Sequence, residues 1–222
     1  MARMARVVVP GFPHHVTQRG NRRQRTFLRK DDYQAYMELI AEWCGQCGVV
    51  VWAYCLMPNH VHLIVVPESE DSLRRAIGEA HRRYTRRVNF REGWRGHLWQ
   101  GRFASFVMDE SYLLNCARYV ERNPVRAGLC KRAVDYPWSS AAAHASGKDD
   151  GLVKVRPLLK LEPRWAQSLS ADPDEEIIRA LHRHEATGRP VGSDRFLQRL
   201  ERIVGRVLRP RQAGRKKKTG RK

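Results

Sequence analysis

The chain has 222 residues, of which 42 are lysine or arginine and 23 are aspartate or glutamate, so its formal net charge is +19. A hydrophobic fraction of 42% is enough to form a folded core, which excludes wholesale disorder. No apolar run approaches the roughly 20 residues that span a bilayer, and the apolar run near the N-terminus is too short for a signal peptide, so we expect a cytoplasmic protein.

The first part of the chain predicts three strands and a helix. The strand segments are rich in β-branched and aromatic residues, and the helical segment has apolar residues at a spacing of three to four with acidic residues at its start. Pro58-Asn59 predicts a tight turn, so the strands on either side of it should form a hairpin. The predicted elements are a strand over 14–19, a helix from Asp31 to about Gly45, and strands over 49–57 and 60–66.

The middle of the chain continues this alternation. We expect a helix from Ser72 to about Val88, a strand over 98–108, and a helix from Glu110 to Arg122. Because the residue before a proline is disfavoured in a helix, Pro124 should terminate the last of these, and residues 125–150 are a connector. The order β-α-β-β-α-β-α is typical of a ferredoxin-like α+β fold, with helices packed on one antiparallel sheet.

The C-terminal part predicts a smaller helical unit. One helix should begin near Asp172 and break at Gly188, and Ser193 should cap another that carries Arg195, Arg199, Arg202 and Arg206 on one side. Two interpretations stay open: a helix-turn-helix that lies along DNA, or a helical hairpin with a solvated arginine face. We therefore divide the chain into a domain over residues 1–148, a helical unit over 149–208, and a basic disordered tail over 209–222.

The positive charge is concentrated in three stretches. Residues 1–30 and 209–222 each hold eight Lys or Arg and no acid, and residues 72–102 hold nine Arg against two Glu. Such a surplus predicts a polyanionic partner, for which nucleic acid is the simplest candidate. A solvated basic surface is the alternative. The arginines that we expect to contact phosphate are Arg19, Arg22, Arg23, Arg25, Arg82, Arg83, Arg86, Arg87 and Arg102.

The cysteines give little support for a metal or redox site. The chain has five, an odd number at loose spacing, which fits reduced thiols in a cytosol. Cys44 and Cys47 form a C-x-x-C, but no second such pair follows and no strand leads into it. Small core residues at a helix end are the simpler interpretation.

His60-Val61-His62 is the most informative triplet. In a strand, residues i and i+2 point to the same side, so the two imidazoles should project together while Val61 enters the core. Adjacent neutral imidazoles suit a divalent cation. In His182-Arg183-His184 the same spacing falls on a predicted helix, where the two side chains diverge by about 200°, so we do not expect that pair to chelate.

Tyr119 and Asn123 are four residues apart on one predicted helix and therefore share a face. Asn123 offers an amide oxygen as a third ligand for a cation held by two histidines. A phenol beside such a cation suits nucleophilic attack on a phosphoryl group. Core packing with the hydroxyl at the rim is the alternative interpretation of Tyr119, and Trp99, Phe103 and Tyr84 could be base-stacking platforms or core residues.

Five blocks of this sequence, in order, resemble the single-tyrosine transposases that carry an HUH motif. The HUH-like block is Met57 to Ile64, and the block resembling the catalytic helix runs from Arg118 to Leu129. The others lie at 15–21, 98–103 and 136–140, and the match covers about residues 5–145. The Asn-Pro-Val-Arg sequence at 123–126 and the chain length resemble the REP-associated tyrosine transposases.

The resemblance implies an HUH endonuclease fold and a specific chemistry. It implies that His60 and His62 bind Mg²⁺ or Mn²⁺, that Asn123 completes the metal site, and that Tyr119 is the nucleophile. Members cleave single-stranded DNA, often beside a hairpin, through a 5′-phosphotyrosine bond that leaves a free 3′-OH. The expected partner is single-stranded or hairpin DNA, bound by a monomer or homodimer associated with the nucleoid.

Two other functions stay open at this point. The chain could be a non-catalytic DNA-binding or regulatory protein derived from a transposase, which would bind DNA in a strongly salt-dependent manner without forming a covalent species. It could also be an RNA-binding sheet domain, since the ferredoxin-like fold serves that role too. The absence of an aromatic string of the kind such domains carry, and the lack of a purpose there for His60 and His62, disfavour that second alternative.

Overall fold

A computed structural model describes residues 4–172 and 174–209 of the chain. The strands within this part are β1 (His14–Arg19), β2 (Val49–Met57), β3 (His60–Pro67) and β4 (Ala104–Val107). The helices within it are α1 (Lys30–Gln46), α2 (Ser72–Glu92), α3 (Glu110–Arg126), α4 (Ala141–Ser146), α5 (Arg156–Leu161), α6 (Trp165–Ser168), α7 (Glu175–Thr187) and α8 (Asp194–Val204). The predicted order of elements up to α3 is confirmed. No helix in this part of the chain is long and apolar enough to cross a membrane.

The four strands form one antiparallel sheet with the spatial order β2-β3-β1-β4. β2 and β3 pair on either side of Pro58-Asn59, which confirms the predicted hairpin. Although β1 is first in the chain, it lies between β3 and β4. This order, with α1 following β1 and α2 following β3, is that of the ferredoxin-like α+β fold, so the predicted fold class is confirmed.

Side-chain alternation along the strands divides the core into two layers. On one side of the sheet, residues such as Val61 and Leu63 pack with α1 and α2. On the other side, Ile64 and Phe106 pack with α3 and with parts of the later helices. Helices therefore cover both sides of the sheet. By the same alternation, His60 and His62 lie on the α3 side.

The fourth strand is shorter than the prediction of 98–108. The paired part spans Ala104–Val107. In the segment before it, Gln100 N donates to Arg19 O at 2.8 Å, and Trp99 forms an isolated bridge with Gly20, the residue that follows β1. Gly101 has a φ of +66°, a left-handed conformation that interrupts an extended strand. Residues 98–103 therefore form a loop that runs past the end of β1.

The prediction that Pro124 ends its helix is wrong. α3 continues through Pro124 to Arg126, about one turn beyond the predicted end at Arg122. The proline cannot donate to the Val120 carbonyl, but Ala127 N donates to Asn123 O at 3.0 Å and Leu129 N donates to Pro124 O at 2.8 Å. Because Pro124 is buried in the last turn, the helix loses one hydrogen bond there and keeps the packing.

α7 and α8 pack against elements formed by the first part of the chain. α7 contacts α3 and β4, and its Ile178 and Leu181 join the apolar cluster beneath α3. In α8, Leu200 is buried with Val7 and Val9 of the N-terminal segment. The division into units at residues 148 and 149 stays a prediction.

Two of the four arginines predicted to form a basic helical stripe make contacts within the chain, and one of them, Arg206, lies just beyond the end of α8. The Arg199 guanidinium lies 5.1 Å from the centre of the Phe12 ring, and Arg206 donates to the main-chain oxygen of Ala5 at 3.0 Å. The predicted tail lies, beyond residue 209, outside the described residues. The DNA-binding role of this unit stays a prediction.

Candidate active site

β3 places His60 and His62 beside each other, as the strand alternation predicts. Their ring centres are 4.9 Å apart, with the rings nearly perpendicular. His60 follows the hairpin turn directly, and its Nδ1 lies 2.6 Å from the side-chain oxygen of Asn59. With Nδ1 engaged in this way, the Nε2 atom of His60 is the one available to a ligand.

His62 is oriented by a third histidine, His15 of β1. The Nδ1 atom of His62 lies 3.0 Å from Nε2 of His15, and the two rings stack at a centre-to-centre distance of 5.2 Å. The other nitrogen of His62, Nε2, is buried and has no hydrogen-bond partner among the described residues. A proton on Nδ1, donated to His15, leaves a free lone pair on that buried Nε2.

Burial keeps these histidines uncharged. It lowers the pKa of His15 and of His60 to about 4, and it lowers that of His62 well below the usual value, with the neighbouring histidines adding to the effect. At neutral pH all three rings are therefore neutral, which is the form that coordinates a metal.

α3 places the Tyr119 ring against this cluster. The ring centre lies 5.7 Å from that of His62 on one side and 5.7 Å from that of His182 on the other, both in edge-to-face geometry. The Tyr119 side chain is only 4% exposed. The phenol and the two imidazoles predicted to act together thus lie on the same side of the sheet.

The surroundings of the phenol act on its pKa in opposite directions. Burial, and then the negative charge of Glu185, raise the pKa of Tyr119 to about 12. A hydrogen bond from the Asn123 side chain and the charge of Arg126 oppose this rise. The Arg126 guanidinium lies 5.3 Å from the centre of the ring. These last two groups therefore favour the phenolate.

Asn123 is half-buried, one helical turn after Tyr119. Its side-chain nitrogen donates to the main-chain oxygen of Tyr119 at 3.3 Å. This contact is with the main chain of Tyr119, one helical turn away, at the spacing of four residues that the sequence predicts. Its role as a metal ligand stays a prediction.

The residues that fit a divalent cation here are His60 and His62. The buried Nε2 atom of His62 has no hydrogen-bond partner among the described residues, so its lone pair is available to bind a metal. No three His, Cys, Asp or Glu side chains in the described ranges already converge around one point. The two neutral imidazoles therefore supply two nitrogen ligands, and the other ligands must come from other groups.

α7 supplies two residues of the site that the sequence analysis did not identify. His182 contacts Tyr119, and Glu185 accepts a hydrogen bond from Thr17 Oγ1 at 2.8 Å. Thr17 is the cross-strand partner of His62, so the carboxylate is held at the histidine pair. α7 and β1 are about 170 residues apart in sequence and meet only in the folded chain. No local sequence pattern therefore identifies His182 and Glu185 as site residues. His15, by contrast, shares the two-residue alternation of β1 with Thr17 and could have been found from it.

A cleft of about 350 Å³ opens beside the site. It is lined by Thr17, Gln18, Arg19, Gln100, Arg102, Ala104, His182, Glu185 and Ala186. Two of the nine arginines predicted to bind phosphate, Arg19 and Arg102, therefore line an opening next to His60 and His62.

The other predicted phosphate contacts divide into two groups. Arg22, Arg23 and Arg25 lie in the exposed loop after β1, whose backbone is hydrogen-bonded to the Pro58-Asn59 turn. The second group is carried by α2, on the opposite side of the sheet. Three of its members have acidic partners: Arg82 and Arg83 pair with Glu79, and Arg87 pairs with Asp31. Arg86 is the fourth member of that group. All nine stay predictions, and the geometry favours the ones near the cleft.

Several residues for which the sequence allows two interpretations are buried in the core. Trp99, Phe103 and Tyr84 are buried, which makes them core residues rather than stacking platforms. Cys44 and Cys47 are buried free thiols at the end of α1.

A family model described as "Transposase IS200 like" matches residues 9–123, just over half of the chain. A curated Haemophilus influenzae protein, provisionally named a REP-associated tyrosine transposase, is 29% identical over 99 residues, which are 40% of this chain and 56% of that protein. The chain thus matches a little over half the length of this relative. A solved REP-associated tyrosine transposase bound to a REP hairpin is 22% identical with a TM-score of 0.57, covering 68% of this chain and 90% of that one. The likeness to this structure supports the fold.

Proposed function

The chain belongs to the IS200-like transposase family, and from this premise we propose that it cleaves and rejoins single-stranded DNA through a covalent bond to Tyr119. Family membership supports a transposase-like role in DNA processing. The observation that carries the finer proposal is the convergence of Tyr119 with His62 and His60 on one side of the sheet.

The nucleophile in this proposal is the Tyr119 phenolate. Because burial raises its pKa to about 12, the phenol is protonated at neutral pH, and Asn123 and Arg126 favour loss of the proton. The phenolate oxygen forms a bond to the scissile phosphorus, and the bond from phosphorus to the 3′ oxygen breaks. That oxygen takes up one proton and leaves as a 3′-OH, which balances the proton lost by the phenol. The 5′-phosphotyrosine bond conserves the phosphodiester's energy for rejoining.

The residues that would hold a divalent cation are His60 and His62, through Nε2, with Asn123 as the third ligand. When bound, Mg²⁺ or Mn²⁺ polarises a phosphate oxygen and stabilises the charge of the transition state. His15 orients the His62 ring for this task.

We propose hairpin-forming single-stranded DNA as the substrate. The solved relative is described as bound to a REP hairpin, and the net charge of +19 suits a polyanion. An unpaired strand can bend into the cleft beside His60, where Arg19 and Arg102 are available to its phosphates. Transposition or recombination at such repeats, a cytoplasmic and nucleoid location, and a monomer or homodimer are the corresponding proposals for its role in the cell.

A non-catalytic DNA-binding protein derived from a transposase is the second candidate. The low exposure of Tyr119, between His62 and His182, favours it, because a strand must displace part of this cover to reach the phenol. This candidate predicts hairpin binding without any covalent product.

The two candidates are distinguished with 3′-labelled hairpin oligonucleotides whose flanks are randomised, incubated with Mn²⁺. We expect a denaturant-resistant protein–DNA adduct with the native chain and none with Tyr119→Phe. Tyr112→Phe, in the same helix, is the matched control and should keep the adduct. An adduct that persists in Tyr119→Phe would falsify the assignment, and hairpin binding without an adduct in the native chain would favour the second candidate.

A further inference from the structure

Glu185 occupies an unusual place for a carboxylate. It lies on α7, outside the residues matched by the family model, yet it is anchored at the histidine pair. Thr17 Oγ1 donates to its Oε1 atom at 2.8 Å, and Thr17 is directly opposite His62 in the β1–β3 register. Residues directly opposite in a sheet share a side, with their Cβ atoms about 5 Å apart. The Glu185 carboxylate therefore lies on the same side of the sheet as His62.

Burial raises the pKa of Glu185, but a hydrogen bond with His182, the nearby histidines and a hydrogen bond from Thr17 together hold it well below its usual value. The carboxylate is therefore ionised, and no lysine or arginine in the described part of the chain forms an ion pair with it. The Glu185 side chain is 25% exposed, and among the described residues its one close ionic partner is His182, at 3.7 Å from the other oxygen, Oε2. His182 is half-exposed, and it is charged only when protonated. Arg19 and Arg102 line the same cleft, but neither forms an ion pair with Glu185. A largely buried carboxylate with no firm cationic partner is a favourable place for a cation.

Glu185 offers a charged oxygen donor, which the histidine pair lacks. His60 and His62 give nitrogen donors, and the Nε2 atom of His62 is buried without a partner. Two imidazoles alone favour zinc or copper, whereas Mg²⁺ and Mn²⁺ prefer oxygen ligands and carboxylates above all. An oxygen donor with a full negative charge beside the pair is what a site for those ions requires.

We propose that Glu185 is the acidic ligand of the divalent cation held by His60 and His62. This inference rests on the proposed function and extends it, because it makes α7 part of the catalytic centre. Thr17 holds Oε1 in place, and Oε2 is the oxygen that turns from His182 to the cation. The turn is needed because Glu185 and the two histidines do not yet surround one point in the described conformation. Asn123 remains the third ligand, and Glu185 adds a charged oxygen donor to the set.

The test measures Mn²⁺ binding to the full chain without DNA, by electron paramagnetic resonance of the free ion and by calorimetry. The variants are Glu185→Gln, Glu185→Asp and, as matched control, Glu176→Gln on an exposed position of the same helix. We expect Glu185→Gln to weaken Mn²⁺ binding at least tenfold, Glu185→Asp to restore part of it, and Glu176→Gln to leave it unchanged. Circular dichroism establishes that each variant is folded.

The outcomes separate this inference from the proposed function. Native-like Mn²⁺ affinity in folded Glu185→Gln overturns the inference, and if that variant also forms the adduct, the proposed function stands. An increase in adduct formation by Glu185→Gln with unchanged Mn²⁺ affinity means that the carboxylate only blocks the site, which also overturns the inference. If the native chain binds no Mn²⁺, or binds it equally after His60 and His62 are both replaced by alanine, the metal dependence in the proposed function fails as well.

Discussion

At the scale of single residues, burial determines the chemistry available at the site. It keeps His60 and His62 neutral, and thus able to coordinate, while it makes the Tyr119 phenol a weaker acid. The same desolvation that favours metal binding therefore opposes formation of the nucleophile. The chain partly offsets this with the Arg126 guanidinium over the Tyr119 ring.

Arg126→Gln should slow adduct formation by about two- to fivefold, because losing a nearby positive charge at a partly exposed site destabilises the phenolate by roughly 0.5–1 kcal/mol. Removing that charge raises the pKa of Tyr119 further, so at a given pH less phenolate is present. The measurement is the rate of adduct formation between pH 7 and 10. The rising limb of the profile should move to higher pH while hairpin affinity changes little.

The control for this effect is Arg132→Gln, which removes an exposed arginine that pairs with Asp135 beyond the end of α3. It should leave the rate unchanged. Equal rates in Arg126→Gln and the native chain across the pH range would contradict a role for Arg126 at the phenol.

The sequence was enough to predict the residues that share one element. His60 and His62 follow from strand alternation, and Asn123 from its spacing to Tyr119 on a helix, because both patterns are local. His182 and Glu185 could not be predicted, since their place depends on how α7 folds back onto β1. The spacing argument that discounted chelation by His182 and His184 says nothing about His182 alone, which contacts Tyr119.

At the scale of elements, α3 is fixed by a buried polar network centred on Glu121. Its carboxylate accepts hydrogen bonds from Ser140 Oγ at 2.5 Å and from the Trp165 indole at 2.7 Å, and it lies 2.6 Å from His144 Nδ1. All of these groups are buried. The network therefore joins α3 to α4 and α6, and it holds the helix that carries Tyr119.

Glu121→Ala should lower the free energy of unfolding by about 3 kcal/mol, because removing one member leaves the other buried polar groups without a partner. The measurement is urea denaturation followed by circular dichroism. The control is Glu110→Ala, an exposed position at the start of the same helix, which should cost less than about 1 kcal/mol. A loss below 1 kcal/mol for Glu121→Ala would mean that the network does not anchor α3.

Predicted elements succeeded where side-chain periodicity was strong and failed where tertiary contacts override a local rule. The bounds of β1 and β2 are those predicted, and Ser193, the predicted cap of α8, accepts a hydrogen bond from Phe196 N. Pro124 was expected to stop α3, but burial of the helix end stabilises one more turn. The loop before β4 resembled a strand because it is apolar, yet its aromatic residues pack in the core.

At the scale of the whole molecule, the arginines differ in whether an acidic neighbour already pairs with them. The α2 arginines are partly neutralised by acidic neighbours, whereas Arg19 and Arg102 border the cleft at the site. The sequence located the basic stretches, but it could not indicate which guanidinium groups are already paired. We expect DNA to follow the cleft side of the sheet.

Arg102→Gln should reduce hairpin affinity and lower the slope of log Kd against log salt by about one unit, as for the loss of one phosphate contact. Arg82→Gln should change the slope little, because Glu79 already holds that guanidinium with two hydrogen bonds. Fluorescence anisotropy of a labelled hairpin at several salt concentrations provides the slopes. If Arg82→Gln lowers the slope and Arg102→Gln does not, the DNA path lies over α2.

Mass spectrometry of the covalent adduct tests the central claim most directly. Trypsin cleaves after Arg118 and Arg122, so Tyr119 lies in a four-residue peptide with Val120, Glu121 and Arg122. After nuclease trimming of an adduct formed on hairpin DNA, that peptide should carry a nucleotide joined through its 5′-phosphate to the tyrosine. A nucleotide found on any other residue, or no adduct with any of the hairpins and divalent metals, would contradict the account.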